Sequence, residues 1–253
     1  MNRVAAFFNN LLFPPKCVSC GEFIQKDVFD PCEVPFCEKC RIKWEREKLE
    51  ICPDCGLEMM LCNCGAPLMK KSGVCDYVKL IGYSVKNNGV GKRALLYLKR
   101  HKNRRAFDYF ASQLAYSVSA RMKRLDADSF VVAYAPRGYR SLALYGFDQS
   151  RELSERLAKK LGVPCVKIFR RAINKNLQQK KLNLAQRREN AKSAYSLTAN
   201  AEAALMSVDC VLLVDDVITS GASLYGCVSA LKDIYGKKII CVTLARTANK
   251  NKK

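Results

Sequence analysis

The sequence has a single histidine, one long stretch without acids, and no apolar run long enough to span a bilayer. His101, the only histidine, stands in the basic run Lys99-Arg100-His101-Lys102, where it reads as an exposed residue and not as a catalytic base. The most apolar candidate for a span, Val4 to Phe13, is short and interrupted by Asn9 and Asn10, which argues against a transmembrane helix. The same segment carries one basic residue, Arg3, and no small-residue cleavage site follows it, so a secretory signal is also a poor reading and a cytoplasmic location is expected. The Gly-x-x-x-x-Gly-Lys-Ser/Thr pattern of a nucleotide P-loop is missing too, Gly89-Val90-Gly91-Lys92-Arg93 being only a fragment of it.

Acids are missing where bases are dense. From Tyr77 to Phe107 there are nine Lys or Arg (Lys79, Lys86, Lys92, Arg93, Lys99, Arg100, Lys102, Arg104, Arg105) and no Asp or Glu. A second stretch, Lys167 to Lys192, has nine Lys or Arg against Glu189 alone, within a formal net charge of +21. Such a field attracts polyphosphates or nucleic acid, or else covers a solvated surface that keeps the protein soluble. Tyr83, Tyr97, Phe107 and Tyr109 interleave with the first cluster at helical spacing, which favours core positions over stacking platforms.

Cysteine is abundant and uneven: ten of the 14 precede Asp76, and only Cys165, Cys210, Cys227 and Cys241 follow it. The cysteines thus mark a boundary between residues 1–75 and 76–253. In a reducing compartment, clustered Cys-x-x-Cys pairs read as metal ligands before disulfides. Cys17-x-x-Cys20 and Cys37-x-x-Cys40 have zinc-ribbon spacing, and Cys52-x-x-Cys55 with Cys62-x-Cys64 supplies a second set. Four thiolates suit structural Zn2+, so one or two ions are expected. Order alone leaves the pairing open: the first pair can join the second, third or fourth, and Cys32 and Cys75 are spare ligands.

Turn residues punctuate Cys17 to Cys75, apart from a short helix expected over Glu38 to Glu50, and residues 1 to 15 read as a helix stopped by Pro14-Pro15. Beyond Asp76 strands alternate with helices, the pattern of an α/β fold with a mostly parallel sheet covered on both faces. Strands are expected at Lys79 to Val85, Phe130 to Ala135, Cys165 to Phe169, Val208 to Val214 and Lys238 to Ala245. Helices are expected at Val90 to Leu98, Phe107 to Leu125, Ser150 to Leu161 and Leu224 to Tyr235.

The sharpest signal is Val211-Leu-Leu-Val-Asp215-Asp216-Val-Ile-Thr219-Ser220-Gly221-Ala222-Ser223, a buried strand reaching two carboxylates and then turning into a helix. Ligands of open parallel sheets lie beyond the carboxyl ends of strands. Backbone amides and three hydroxyls at a helix start suit a phosphate dianion, and Gly221 permits close backbone approach. Asp215 and Asp216 can accept from the hydroxyls of a ribose, directly or through Mg2+.

This segment resembles the motif with which type I phosphoribosyltransferases bind 5-phosphoribosyl-1-pyrophosphate (PRPP). The resemblance implies that Asp215 and Asp216 face the ribose while Thr219, Ser220, Gly221, Ala222 and Ser223 hold the 5-phosphate. Ala135-Pro136-Arg137-Gly138 followed by Tyr145-Gly146-Phe147-Asp148-Gln149-Ser150 is similar to a stretch of the ComF family of competence proteins, as are Leu12-Phe13-Pro14-Pro15-Lys16-Cys17, Leu98-Lys99-Arg100 and Gln179-x-x-Leu182 with Arg187-x-x-Asn190. Tyr145 stands where that family has Arg, Asp148 where it usually has Asn, and Arg100 where it has Tyr. The resemblance implies a zinc ribbon ahead of a phosphoribosyltransferase-like domain. It implies a pyrophosphate loop at Pro136 and Arg137, and a mobile loop whose Lys180, Lys181 and Arg187 neutralise pyrophosphate. It also implies PRPP with Mg2+ as ligand, the acceptor being unidentified. From the family it adds single-stranded DNA and proteins of a DNA-uptake machinery as partners, with PRPP then regulatory.

Overall fold

The computed structural model describes residues 12–25, 33–69, 72–83, 88–172 and 184–247. Its centre is a four-stranded, wholly parallel sheet in the order β1 (Asp76–Tyr83), β6 (Lys238–Thr247), β5 (Cys210–Ile218), β2 (Phe130–Tyr134). Beyond β2, Val132 makes one more parallel bridge, to Cys165. A separate antiparallel pair joins β3 (Phe169–Arg171) to β4 (Tyr195–Leu197), so the strand expected at Cys165 to Phe169 is instead a bridge and a short strand in a second sheet.

Alternation along the strands divides the interior into two cores. Val132, Leu212, Val214, Ile240 and Val242 face one core, covered by α2 (Val90–Arg100), α3 (Arg104–Met122) and α5 (Gln149–Leu161). Val131, Ala133, Val211, Leu213, Ile239 and Cys241 face the other, covered by α8 (Ala222–Leu231) with α6 (Leu184–Ser193) and α7 (Ala201–Leu205). Strands buried on both sides need to be apolar on both, which is why they read as near-continuous hydrophobic runs. Local chemistry sets the helix ends. The Asn103 carboxamide accepts the Ala106 N–H at 3.0 Å to start α3, and Gly162, at φ +70°, ends α5 in the left-handed conformation.

The cysteine-rich segment joins both cores, the first through Cys17, Val18, Phe36, Cys40 and Trp44 and the second through Ala66, Leu68 and Met69. It is built from two similar knuckles. The Gly21 N–H donates to the Cys17 carbonyl and Cys17 N–H to Glu22; the Gly56 N–H donates to Cys52 and Cys52 N–H to Leu57. Between them, α1 (Glu38–Lys48) carries Trp44, which is 1% exposed, stacked on Phe36 at 5.6 Å and edge-on to Phe110 of α3 at 5.2 Å. The segment therefore buries its aromatics against the sheet domain, as a stretch too turn-rich for its own core must.

Polar contacts fix the same docking. The Glu47 carboxylate accepts the Val90 and Gly91 N–H groups at 2.6 and 2.8 Å, capping α2 from another element. The P-loop fragment at Gly89–Arg93 thus has a protein carboxylate at its helix start. Arg93 donates to the Ser19 carbonyl and hydroxyl at 3.1 and 3.0 Å, inside the first knuckle.

Several expected boundaries move. The β5 strand runs four residues past Val214, to Ile218, because Asp215, Val217 and Ile218 pair with Thr243, Ala245 and Arg246 of β6. Residues 184–193, expected in a loop, form α6, and α4 (Tyr139–Tyr145), α7 and β4 fall in segments with no assigned element. The expected helix at residues 1–15 lies almost wholly outside the described residues.

α6 crosses α8 at Gly226, where an added Cβ would stand 2.3 Å from the Ala191 carbonyl oxygen and 2.6 Å from the Tyr195 ring. Backbone cannot yield as a side-chain end can, so Gly226→Ala should cost about 1–3 kcal/mol in urea unfolding. Wild-type stability in that variant would mean that α6 does not pack there.

Candidate functional site

The strand ends of a parallel sheet converge on one edge, and here β5 and β2 bring the polar residues to it. Asp215 is half-buried, its Oδ1 accepting the Asp216 N–H at 2.8 Å and the Ser150 hydroxyl at 3.0 Å. Asp216 turns its Oδ1 to the Val217 N–H at 2.6 Å and its Oδ2 toward Lys99 Nζ at 3.5 Å. Burial pushes the Asp215 carboxyl up to about 8, with the Asp216 carboxylate adding to the effect; the Asp216 N–H, Ser150 and Lys99 oppose it without prevailing.

Past β5 the chain turns through Thr219, which is exposed, and Ser220 to Gly221, at φ +82°, whose carbonyl accepts the Tyr225 N–H at 2.8 Å as α8 begins. Gly221 is buried against the segment leaving the second knuckle. A Cβ there would lie 2.8 Å from Met69 Cγ and 3.0 Å from Ala66 Cβ, and the φ itself disfavours any other residue. Ala222 and Ser223, half-buried, open the helix.

The neighbouring turn after β2 is held by Asp148. Its Oδ2 accepts the Arg137 N–H at 2.8 Å and its Oδ1 the Ser150 and Arg151 N–H groups at 3.1 and 3.2 Å, so one carboxylate caps α5 and shapes the Pro136–Gly138 turn. The Arg137 guanidinium donates to the Phe147 and Lys99 carbonyls at 3.3 and 3.2 Å and lies 4.6 Å from the Tyr145 ring centre. A cleft of about 610 Å3 opens on this side, lined by Pro136, Arg137, Asp148, Arg151, Arg170 and Arg171 among others. The cleft adjoins the Asp215–Asp216 pair without including it, Asp148 and Ser150 forming the link.

Of the residues expected here, Asp215, Asp216, Thr219 to Ser223, Pro136 and Arg137 share this edge. Lys180 and Lys181 lie outside the described residues, and the Arg187 side chain does too, although its backbone is in α6. Ser150 and Lys99 stand in the family-like segments but were given no site role from the sequence, nor was Asp148 given its capping role. Gln149, 2% exposed, has no partner for either amide atom among the described residues. The signal for Asp148 and Ser150 was their place just ahead of an amphipathic helix, a cap position. His101 is exposed, as expected, and its ring lies tilted against Tyr97 at 4.5 Å between centres.

The cysteines resolve into two groups that could hold metal ions: Cys17, Cys20, Cys37 and Cys40, and Cys52, Cys55, Cys62 and Cys64, with the ligand atoms of each group within 4.8 Å of one another. The grouping is sequential and not interleaved. Soft sulfur donors in fours fit a tetrahedral ion such as zinc. Burial alone would raise the Cys17 thiol, but hydrogen bonds from the Cys20, Cys37 and Ser19 backbone bring it down to about 7. Burial and the neighbouring cysteines push Cys20 up to about 12 and Cys40 upward, so without a cation one thiol of the group is drawn toward the thiolate and these two are held from it. Cys75 belongs to neither group and donates to the Ile239 carbonyl at 3.0 Å, while Cys32 lies outside the described residues.

Residues 148–253 match the family model of the phosphoribosyl transferase domain. The matched segment begins at Asp148 and contains the acidic pair and the turn behind it. No curated protein matches the chain. Solved structures similar to it include TT1426 from Thermus thermophilus, at 14% identity over 61% of this chain and 87% of that one, with a TM-score of 0.32. Another is a purine phosphoribosyltransferase from Pyrococcus horikoshii, at 16% identity over 55% of this chain and 84% of that one, with a TM-score of 0.29. No helix among the described residues is long and apolar enough to cross a membrane.

Because the Asp215 carboxyl holds its proton more tightly folded than unfolded, its contribution to stability is present below the ordinary carboxylate range and is lost as pH rises through about 8. Asp215→Asn lacks that loss. In thermal melts above neutral pH the variant should therefore be the more stable protein; a change of about 1 kcal/mol moves Tm by about 2–4 °C in a chain of this size. Parallel melting curves across pH would show that the carboxyl is not perturbed.

Proposed function

We propose that the chain binds PRPP with Mg2+ along the Asp215–Ser223 edge and transfers or senses its phosphoribosyl group. The observation that carries this reading is the placement, inside the segment that matches the phosphoribosyl transferase domain, of two adjacent carboxylates and a hydroxyl-rich helix start at the carboxyl end of a central parallel strand. The helix start offers amides and the hydroxyls of Thr219, Ser220 and Ser223 to the 5-phosphate. Asp215 and Asp216 accept from the ribose hydroxyls and stabilise positive charge developing on the sugar as pyrophosphate departs. Arg137, with Lys180, Lys181 and Arg187, takes the charge of the leaving pyrophosphate.

Asp215 and Asp216 would hold Mg2+, a hard ion that carboxylate oxygens suit, and the ion would supply neutralising charge for the departing pyrophosphate. The Asp215 carboxyl, which burial keeps protonated, would give up its proton on ligating a cation, so binding should release protons near neutral pH. The cleft beside Arg137 offers room for an acceptor. We assign structural zinc to both cysteine groups, and thiols left free in the fold suit a reducing, cytoplasmic setting.

A second reading follows from the rim of that cleft, where Lys167, Arg170 and Arg171 stand with Tyr139, 70% exposed. Exposed cations beside an open ring suit single-stranded DNA, the partner implied by similarity to the ComF family, and PRPP would then act as a regulator of DNA handling.

Calorimetry with PRPP and Mg2+ tests the first reading. Asp215→Ala/Asp216→Ala should weaken binding by about 10- to 100-fold, the worth of one or two charge-assisted hydrogen bonds. Equal affinity in the variant would refute it, and pyrophosphate release with some base or amine would separate transfer from sensing. For the second, Lys167→Ala/Arg170→Ala should weaken binding of an oligonucleotide and flatten its salt dependence, each lost phosphate contact taking about 0.7 from the logarithmic slope. An unchanged salt titration would remove that reading.

A further inference from the structure

The sheet domain directs three cations at the second cysteine group. Lys79, in the middle of β1, is fully buried, and its Nζ donates to the Cys62 and Cys64 carbonyls at 2.7 and 3.2 Å. Arg246 of β6, 4% exposed, donates Nη1–H to Cys52 Sγ at 3.7 Å and pairs through Nη2 with the Asp54 carboxylate. Arg121 of α3 donates to the Leu61 carbonyl at 2.7 Å and pairs with Asp76 at 3.3 Å.

The three do not stand alike in charge. Arg121 and Arg246 each have a carboxylate partner, whereas Lys79 forms no ion pair with a carboxylate among the described residues. An ammonium withdrawn from water and bonded only to carbonyls is strongly disfavoured unless a negative charge lies near. The nearby candidates are the sulfurs of Cys52, Cys55, Cys62 and Cys64. Four thiolates on a divalent ion leave a net charge of about −2, whereas four thiols leave none. A metal centre thus supplies what Lys79 lacks, and Lys79 supplies what a buried tetrathiolate lacks. Near the first group, Arg93 donates to the Ser19 carbonyl and hydroxyl.

We propose that Lys79 and Arg246 are positioning and charge-compensating residues for an anionic tetrathiolate metal centre at Cys52, Cys55, Cys62 and Cys64. The inference rests on reading that group as a metal site. Lys79 orients the Cys62–Cys64 turn through its two carbonyls and offsets the centre's charge, while Arg246 donates an N–H to the Cys52 thiolate. Such outer groups fix ligand geometry and tune metal affinity without touching the ion.

The test uses the full chain loaded with zinc and titrated against a chromogenic chelator, with Cys52→Ser/Cys55→Ser identifying which metal belongs to the second group. Lys79→Met should weaken that metal by about 10- to 100-fold and leave the first group's metal unchanged, with Lys79→Arg restoring most of the loss. After cobalt substitution, the thiolate-to-metal charge-transfer band of the second site should shift in Lys79→Met, a change that loss of packing alone would not produce. Should Lys79→Met fail to fold, Arg246→Met carries the same test, with a smaller weakening and a shifted band expected. Metal held as in wild type with an unshifted band, in whichever variant folds, overturns the proposal while leaving the metal site standing. Equal metal content in wild type and Cys52→Ser/Cys55→Ser overturns the metal reading and the proposal with it.

Discussion

A parallel sheet has two faces to cover, and in this protein that requirement decides where nearly everything else goes. The face holding Val132, Leu212 and Ile240 receives, besides its helices, Cys17, Val18, Phe36, Cys40 and Trp44 from the cysteine-rich segment. A stretch with so many turns cannot bury enough apolar surface by itself, and the sheet domain gains a lid of aromatic rings over α3. The contacts that orient this lid are polar and specific: Glu47 on the start of α2, Arg93 on Ser19, Arg121 on Leu61. Each links a group that would otherwise lack a partner at a helix end or a turn with a charged side chain from another part of the chain, so docking and local folding reinforce one another.

The carboxyl edge of the sheet has the opposite character. Asp215 and Asp216 are adjacent carboxylates in partial burial, and the cation nearest the pair, Lys99, stands 3.5 Å from Asp216 alone. The consequence is a carboxyl that prefers its proton near neutrality, a state kept by a rigid strand and not by favourable electrostatics. Placing such a pair at the end of a central strand is costly to the apo protein and useful to one that meets a cation and a hydroxyl-bearing ligand, the usual trade between stability and function. The net charge of +21 draws anions to the protein, while the acidic edge disfavours any that arrive without a counter-ion.

The legible parts of the sequence were those where composition and geometry coincide. β5 and its turn could be read because an apolar run, an acidic pair and a Gly-containing hydroxyl run each demand the same place in a parallel sheet, and the eight cysteines because their spacings are those of metal knuckles. The acidic pair nevertheless lies inside the strand, since β6 continues to Thr247 and offers partners as far as Ile218. α6 escaped detection because Leu-Ala-Gln-Arg-Arg-Glu-Asn-Ala-Lys-Ser has no apolar stripe; what holds it is one crossing with α8 at Ala191 and Gly226. Lys79 misled in a different way. In a basic run it reads as part of a field for anionic partners or solvent, yet it faces inward in β1, where a polar site lies beneath it. Charge clusters report an average field, and a single member can serve an interior contact that the average conceals.

The second cysteine group and the Thr219–Ser223 turn are neighbours through short connections. Arg246, which reaches Cys52, pairs in register with Ile218, the last residue of β5 before Thr219. Residues 64–69 then run from the last cysteine of the group to the 3-10 turn Pro67–Met69, and Ala66 and Met69 of that run floor the turn at Gly221 too closely to admit a Cβ. Two routes, one along the β-ladder and one through side-chain packing, therefore join the cysteine group to the Thr219–Ser223 backbone. Tightly packed interiors transmit displacement without absorbing it. A loosened Cys52–Cys64 knuckle would consequently alter the Thr219–Ser223 amides even though no cysteine lies among them, so the cysteine-rich segment supports the candidate site as well as the fold.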